Sequence, residues 1–168
     1  MYKILVVDDE SIEREGISFL IEKYKFPLEV AQATNGKTAL EYMRTHPIDI
    51  LLTDVKMPQM DGLELARHTF EKYPDVRILV FSAYGEFEFA KKAMAAQAVS
   101  YLLKPIEVDE FQRVMTQIIA QCDELSEKKK DEQQRGEEYR QQLLFRLVTG
   151  TGLGKAHITE EWFSGQTL

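Results

Sequence analysis

Three acidic side chains and one lysine stand where a chain could do chemistry. Asp8 and Asp9 close the apolar run Ile4-Leu5-Val6-Val7, and Asp54 closes the run Ile50-Leu51-Leu52-Thr53. Lys104, followed by Pro105, closes a third run, Tyr101-Leu102-Leu103. Short, continuously apolar runs read as parallel strands covered on both faces. In open α/β sheets the ligands sit at the carboxyl ends of such strands. Three carboxylates gathered there repel one another and need a cation to hold them together. Oxygen-only ligands suit Mg2+, which takes few protein ligands and keeps its waters. A lysine beside them supplies a point charge for a phosphoryl oxygen. Together these residues describe a site for moving a phosphoryl group.

The elements that must position this site follow from the punctuation of the chain. Strands are expected near 2–7, 28–33, 49–53, 76–81 and 99–103. Amphipathic stretches near 11–24, 37–46, 61–72, 86–96 and 107–125 read as the intervening and closing helices. Asn35-Gly36, Pro58, Gly62 and Pro74-Asp75 fall between these elements, where turns are needed. Five strands alternating with five helices predict a doubly wound, five-stranded parallel sheet of the α/β class. Strands 1, 3 and 5 bring their ends together in the flavodoxin-like order 2-1-3-4-5.

Composition narrows the function. The 168 residues allow one domain and an appendage. The net charge of −7, with no basic arm, argues against a nucleic-acid footprint. Cys122 is the only cysteine, so neither a disulfide framework nor a cysteine zinc cluster is expected. Met1-Tyr2-Lys3 enters the first strand without a signal peptide, and no apolar run approaches a membrane span, so a cytoplasmic protein is expected. His46, His68 and His157 lie far apart in polar surroundings and read as surface residues. Met57, Met60 and Met115 read as core filling.

After about residue 122 the chain turns polar and rich in helix formers. Val108, Phe111, Met115, Ile118, Cys122 and Leu125 recur three and four apart, as in a coiled-coil seam, although the first of them must also pack on the sheet. The seam fails at Lys129, Glu132 and Gly136 and returns at Tyr139 and Leu143. Gly136 costs about 1 kcal/mol inside a helix, so a kink or frayed point is expected there. The divisions are residues 1–122 for the domain, 123–150 for a helical linker and 151–168 for a tail. If residues 107–148 form one helix it is about 60 Å long, and a weak homodimer through the seam is expected.

Asp8-Asp9-Glu10, Asp54-Val-Lys-Met-Pro-Gln-Met-Asp-Gly62, Ser82 and Tyr101-Leu-Leu-Lys-Pro105 resemble the motif set of bacterial two-component response-regulator receiver domains. The resemblance covers residues 1 to about 122. Phe81-Ser-Ala-Tyr-Gly-Glu-Phe-Glu-Phe-Ala-Lys91 and Tyr139-Arg-Gln-Gln-Leu-Leu-Phe-Arg-Leu-Val-Thr-Gly150 are similar to the subgroup that precedes an AraC-type helix-turn-helix output domain, which this sequence does not include. The resemblance implies that Asp54 is the phosphoacceptor, charged by a sensor histidine kinase. It implies Mg2+ held by Asp9, Asp54 and the backbone carbonyl of Lys56, with Asp8 acting mainly through a water. It places Lys104 and Ser82 on the phosphoryl group, makes Ser82 and Tyr101 the switch pair, and implies a cis peptide before Pro105. The expected activity is self-phosphorylation with Mg2+ and slow autodephosphorylation, with DNA reached only through an output domain. A standalone relay or adaptor that signals by docking is the alternative. An aspartyl-phosphate hydrolase fits poorly, because those enzymes resemble an Asp-x-Asp motif and here the pair is adjacent. One departure from the family pattern is Gln97, where a glycine usually ends the fourth helix.

Overall fold

The structure is a computed structural model that describes residues 1–83 and 100–150. Five strands, β1 (Tyr2–Val7), β2 (Leu28–Ala33), β3 (Ile50–Asp54), β4 (Arg77–Ala83) and β5 (Ser100–Lys104), form one parallel sheet in the order β2-β1-β3-β4-β5. Helices α1 (Ser11–Lys23), α2 (Gly36–Thr45) and α3 (Gly62–Lys72) connect the first four strands, and α4 (Val108–Thr149) follows β5. The order is the flavodoxin-like one that the strand-end chemistry required. The stretch near 86–96, Gln97, His157 and the tail 151–168 lie outside the described residues.

The apolar strands are continuous because both sheet faces are covered. Successive strand residues point to opposite faces, and the core divides accordingly. On one face Ile4, Val6, Ile50, Leu52, Leu79 and Phe81 pack with Ile17 and Ile21 of α1 and with Phe111, Met115 and Ile118 of α4. On the other, Leu5, Val7, Leu51, Ile78 and Val80 pack with Ala39 and Met43 of α2 and with Leu65 and Ala66 of α3. Met57 and Met115 are buried and Met60 is half-buried against the second cluster, as core filling requires.

Local chemistry sets the helix starts. Asn35 caps α2 reciprocally with Thr38: its Oδ1 accepts from the Thr38 N–H at 2.9 Å, while its own N–H donates to Thr38 Oγ1 at 3.3 Å. Asp61 Oδ1 accepts from the Glu64 N–H at 2.8 Å and starts α3.

Three expectations change. β4 runs past residue 81, because Ser82 and Ala83 still pair with Leu103 and Lys104 of β5. Helical bonding in α4 continues through Gly136 without a break. Its neighbours are strong helix formers, and a single glycine does not outweigh them. The seam residues Ile118 and Cys122 are already buried in the core, so they cannot also line a dimer interface. Residues Met1–Leu125 form one unit and Ser126–Leu168 a second. In the second, Tyr139, Leu143, Leu144, Phe145, Leu147 and Val148 are exposed.

Candidate functional site

Sheet register sets the site. Val7 lies beside Thr53, and Asp54 lies beside Phe81, so Asp8 leaves β1 at the level where Asp54 ends β3. One strand beyond, Ala83 pairs with Lys104. The lysine Nζ lies 3.1 Å from Asp8 Oδ2 and 3.2 Å from Asp54 Oδ1. Both carboxylates are nearly sealed, with Asp8 2% and Asp54 7% exposed. The amine also lies 4.2 Å from the centroid of the Phe81 ring, a cation–π contact.

Backbone donors complete the cage. The Lys56 N–H donates to Asp54 Oδ2 at 3.0 Å, and the Glu10 N–H donates to Asp8 Oδ1 at 2.8 Å. Burial pushes the Asp54 carboxyl above the usual carboxylate range; Lys104 and the Lys56 N–H pull against this, while the charge of Asp8 adds to it. For Lys104 burial acts to lower its pKa, yet Asp54 and Asp8 outweigh that and hold the ammonium above its ordinary value. The result is a basic carboxylate facing a persistent cation, which suits a nucleophile toward phosphorus.

The expected gathering of three carboxylates takes a different form. Asp8 and Asp54 share Lys104, whereas Asp9 is exposed. Both lie beyond the last residue of β1, with Asp8 buried and Asp9 at an exposed bend. Among the described residues no three His, Cys, Asp or Glu side chains form a ready-made metal cage. That agrees with the habits of Mg2+, which uses one or two carboxylates, waters and substrate phosphate rather than an all-protein cage. The all-oxygen donors of Asp8, Asp9, Asp54 and the Lys56 carbonyl fit such an ion in chemistry.

Ser82 is buried beside this centre at the end of β4. Tyr101 on β5 is half-buried, and its hydroxyl is buried with no hydrogen-bond partner among the described residues. The Lys104-Pro105 peptide is cis.

Three participants escaped the sequence reading. Gly62 read as loop punctuation and as the end of the Asp54 motif, with no contact assigned to it. A Cβ built on it would lie 1.8 Å from the carbonyl oxygen of Asp54, so only glycine lets α3 start against the end of β3. Glu13 of α1 brings Oε1 to 3.9 Å from Lys104 Nζ, and Arg14 donates to the Asp8 carbonyl oxygen at 2.7 Å. Helix residues five and six positions beyond Asp8 carry no motif; only the fold returns them to the site.

The comparisons agree with the geometry. Residues 4–116 match the response regulator receiver domain family. The uncharacterized transcriptional regulatory protein YesN of Bacillus subtilis strain 168 is 41% identical over 122 residues, spanning 72% of this chain and 33% of that protein. The solved REC domain of AraT, a response regulator from Geobacillus stearothermophilus, is similar at TM-score 0.67 and 37% identity, covering 76% of this chain and 98% of that one. A two component transcriptional regulator AraC from Clostridium phytofermentans gives 0.67 at 32% identity, covering 76% and 99%. The chain spans a third of the YesN protein's length. With the family matched over more than half of its residues, the chain belongs to the receiver domains of response regulators.

Proposed function

We propose that this chain accepts a phosphoryl group on Asp54 from the phosphohistidine of a sensor histidine kinase, in the cytoplasm, and switches a linked DNA-binding transcription regulator. The observation that carries the reading is the Asp54 carboxylate, which ends the central strand 3.2 Å from the Lys104 ammonium. An Asp54 oxygen attacks phosphorus, forming a P–O bond as the P–N bond to the donor imidazole breaks; the imidazole leaves with the electron pair and takes up a proton. Lys104 turns its charge to the transferred oxygens, and the Ser82 hydroxyl donates to one of them. When bound, Mg2+ supplies further neutralisation of those oxygens. Asp9, Asp54 and the backbone carbonyl of Lys56 would hold it, with Asp8 acting through a water.

The switch rests on Tyr101. A buried hydroxyl without a partner costs about 1–3 kcal/mol. That side chain therefore has a second arrangement to gain from, and engagement of Ser82 by phosphate selects between the two. In this reading residues 1–122 are the receiver, 123–150 the linker and 151–168 the start of the path to the output domain. The exposed apolar residues from Tyr139 to Val148 give the linker a surface for a weak homodimer. The family and the transcriptional name of the YesN protein support this output, and no helix among the described residues is long and apolar enough to cross a membrane.

Acetyl phosphate with Mg2+ is expected to add one acid-labile phosphoryl group, read by intact mass. Asp54→Asn or chelation of Mg2+ is expected to abolish it. Full labelling of the Asn variant would overturn the assignment.

A further inference from the structure

The two carboxylate-bearing strand ends are anchored in different ways. At the end of β3 the Lys56 N–H holds Asp54 Oδ2, the Val55 N–H donates to the Phe81 carbonyl at 3.2 Å, and the Gly62 N–H donates to the Val55 carbonyl at 2.9 Å. At the end of β1 the Glu10 N–H likewise holds Asp8 Oδ1, at 2.8 Å. The Asp8 N–H donates to Ala33 at 3.3 Å, a long bond, and Asp9 beyond it is exposed. What grips the Asp8 carbonyl is a side chain: Arg14 Nη1 donates to it at 2.7 Å.

Arg14 is itself held. Its Nε donates to Gln32 Oε1 at 3.3 Å, Gln32 Nε2 donates to Ser18 Oγ at 3.0 Å, and Ser18 Oγ donates to the Arg14 carbonyl at 2.8 Å. The guanidinium thus ties the peptide between Asp8 and Asp9 to α1 and to β2 in one ring of hydrogen bonds. A fork with several fixed donors suits this task, because one contact can serve the carbonyl while another is anchored.

We infer that Arg14 is a positioning residue for the acidic end of β1: it holds the Asp8-Asp9 peptide where both carboxylates can serve a divalent cation. The inference rests on the receiver reading above. It has a sign that simple electrostatics does not share. A guanidinium near a cation site repels the cation, so as a mere charge Arg14 weakens Mg2+ binding and its removal tightens it. As a clamp it favours binding, and its removal loosens it. Groups that orient metal ligands typically cost 10- to 100-fold in affinity when removed. Arg14 acts through a main-chain carbonyl, so the lower end, about tenfold, is expected.

The test is calorimetric titration of Mg2+ into the full chain, with urea denaturation of each variant alongside. Arg14→Ala is expected to weaken Mg2+ about tenfold. Arg14→Lys, which keeps the charge and one donor, is expected to recover most of the loss. Gln32→Ala, which frees the guanidinium without changing any charge, is expected to weaken Mg2+ in the same direction but less. Unchanged or tighter binding in Arg14→Ala, beside normal binding by the wild type, overturns the inference alone. Unchanged binding in Gln32→Ala together with no rescue by Lys overturns it even if Arg14→Ala fails to fold. A wild type that binds no Mg2+ at millimolar concentration overturns the receiver reading first and the inference with it.

Discussion

Replacing Lys104 by Met tests the electrostatic centre with little change of shape. Methionine retains an unbranched apolar stem and deletes the ammonium, which lies 4.2 Å from the centroid of the Phe81 ring. Besides the longer 3.9 Å approach of Glu13, two short ion pairs are lost, at 3.1 Å to Asp8 and 3.2 Å to Asp54. Each is worth about 5 kcal/mol gross at an effective dielectric of about 20, and most of that offsets the burial of three charges. Removing one partner of a buried pair costs about 3–5 kcal/mol, because the remaining charges stay buried and uncompensated. The Lys104 side chain is 19% exposed, so water softens the loss and the lower figure applies. A loss of about 3 kcal/mol with a urea slope near 2 kcal/mol/M lowers the unfolding midpoint by about 1.5 M. The pH dependence follows from the same geometry. Without its cation, the already raised Asp54 carboxyl moves further up in the folded state. A group raised by folding contributes stability that is complete below its unfolded value and lost as pH rises through the folded one. The deficit should therefore be smaller near pH 5 than near pH 8. Adding Asp54→Asn to the Lys104→Met variant should return part of the loss, giving a clear coupling in a double-mutant cycle. Urea melts followed by circular dichroism at both pH values read all of this. A midpoint shift below about 0.3 M, equal at both pH values and uncoupled from Asp54, would refute the reasoning.

The other predictions come from separate features. Gly62→Ala must displace the Asp54 carbonyl by more than an ångström's overlap, so a loss of about 3 kcal/mol and of acetyl phosphate labelling is expected, read by urea melts and intact mass. Burial lifts the Cys122 thiol to about 11, and the Asp123 hydrogen bond lifts Tyr2 to about 12, so stability should be full below their ordinary values near 9 and 10 and fall as pH rises through 11 and 12; Cys122→Ala should flatten the lower part of that fall in alkaline melts. Leu143→Asp should shift sedimentation toward the monomer at high concentration and leave urea stability unchanged, because Leu143 is exposed and makes no part of the sheet's core.

The sheet and much of the site were legible because each strand carries its chemistry at its end. Asp8, Asp54 and Lys104 follow uninterrupted apolar runs, and a run buried on both faces has no other periodicity with which to disguise itself. The expected strand limits fall within two residues of those observed, the largest difference being at the end of β4, where pairing with β5 extends it. Other features depended on three-dimensional approach. Gly62 resembles any turn glycine until a Cβ is placed on it and meets Asp54. The 3.5-residue spacing from Phe111 to Cys122 suits a coiled coil and a sheet-packing face equally, and only burial separates them. Arg14 lay between the acidic pair and the first helix's apolar positions with nothing in its spacing to mark it.

The placement of β5 at the rim of the sheet has a consequence for slow hydrogen exchange. β1 and β3 lie inside the sheet, and all five residues of β3 are buried, whereas on β5 only Leu102 is. Amides of interior strands exchange only through near-global opening, while those of a rim strand with partly exposed side chains open at lower free energy. The two acids thus stand at the ends of interior strands, and the amine that bridges them at the end of a less buried rim strand. Thermal opening therefore releases the cation before either anion, leaving Lys104 as the jaw that yields while the carboxylates keep their places.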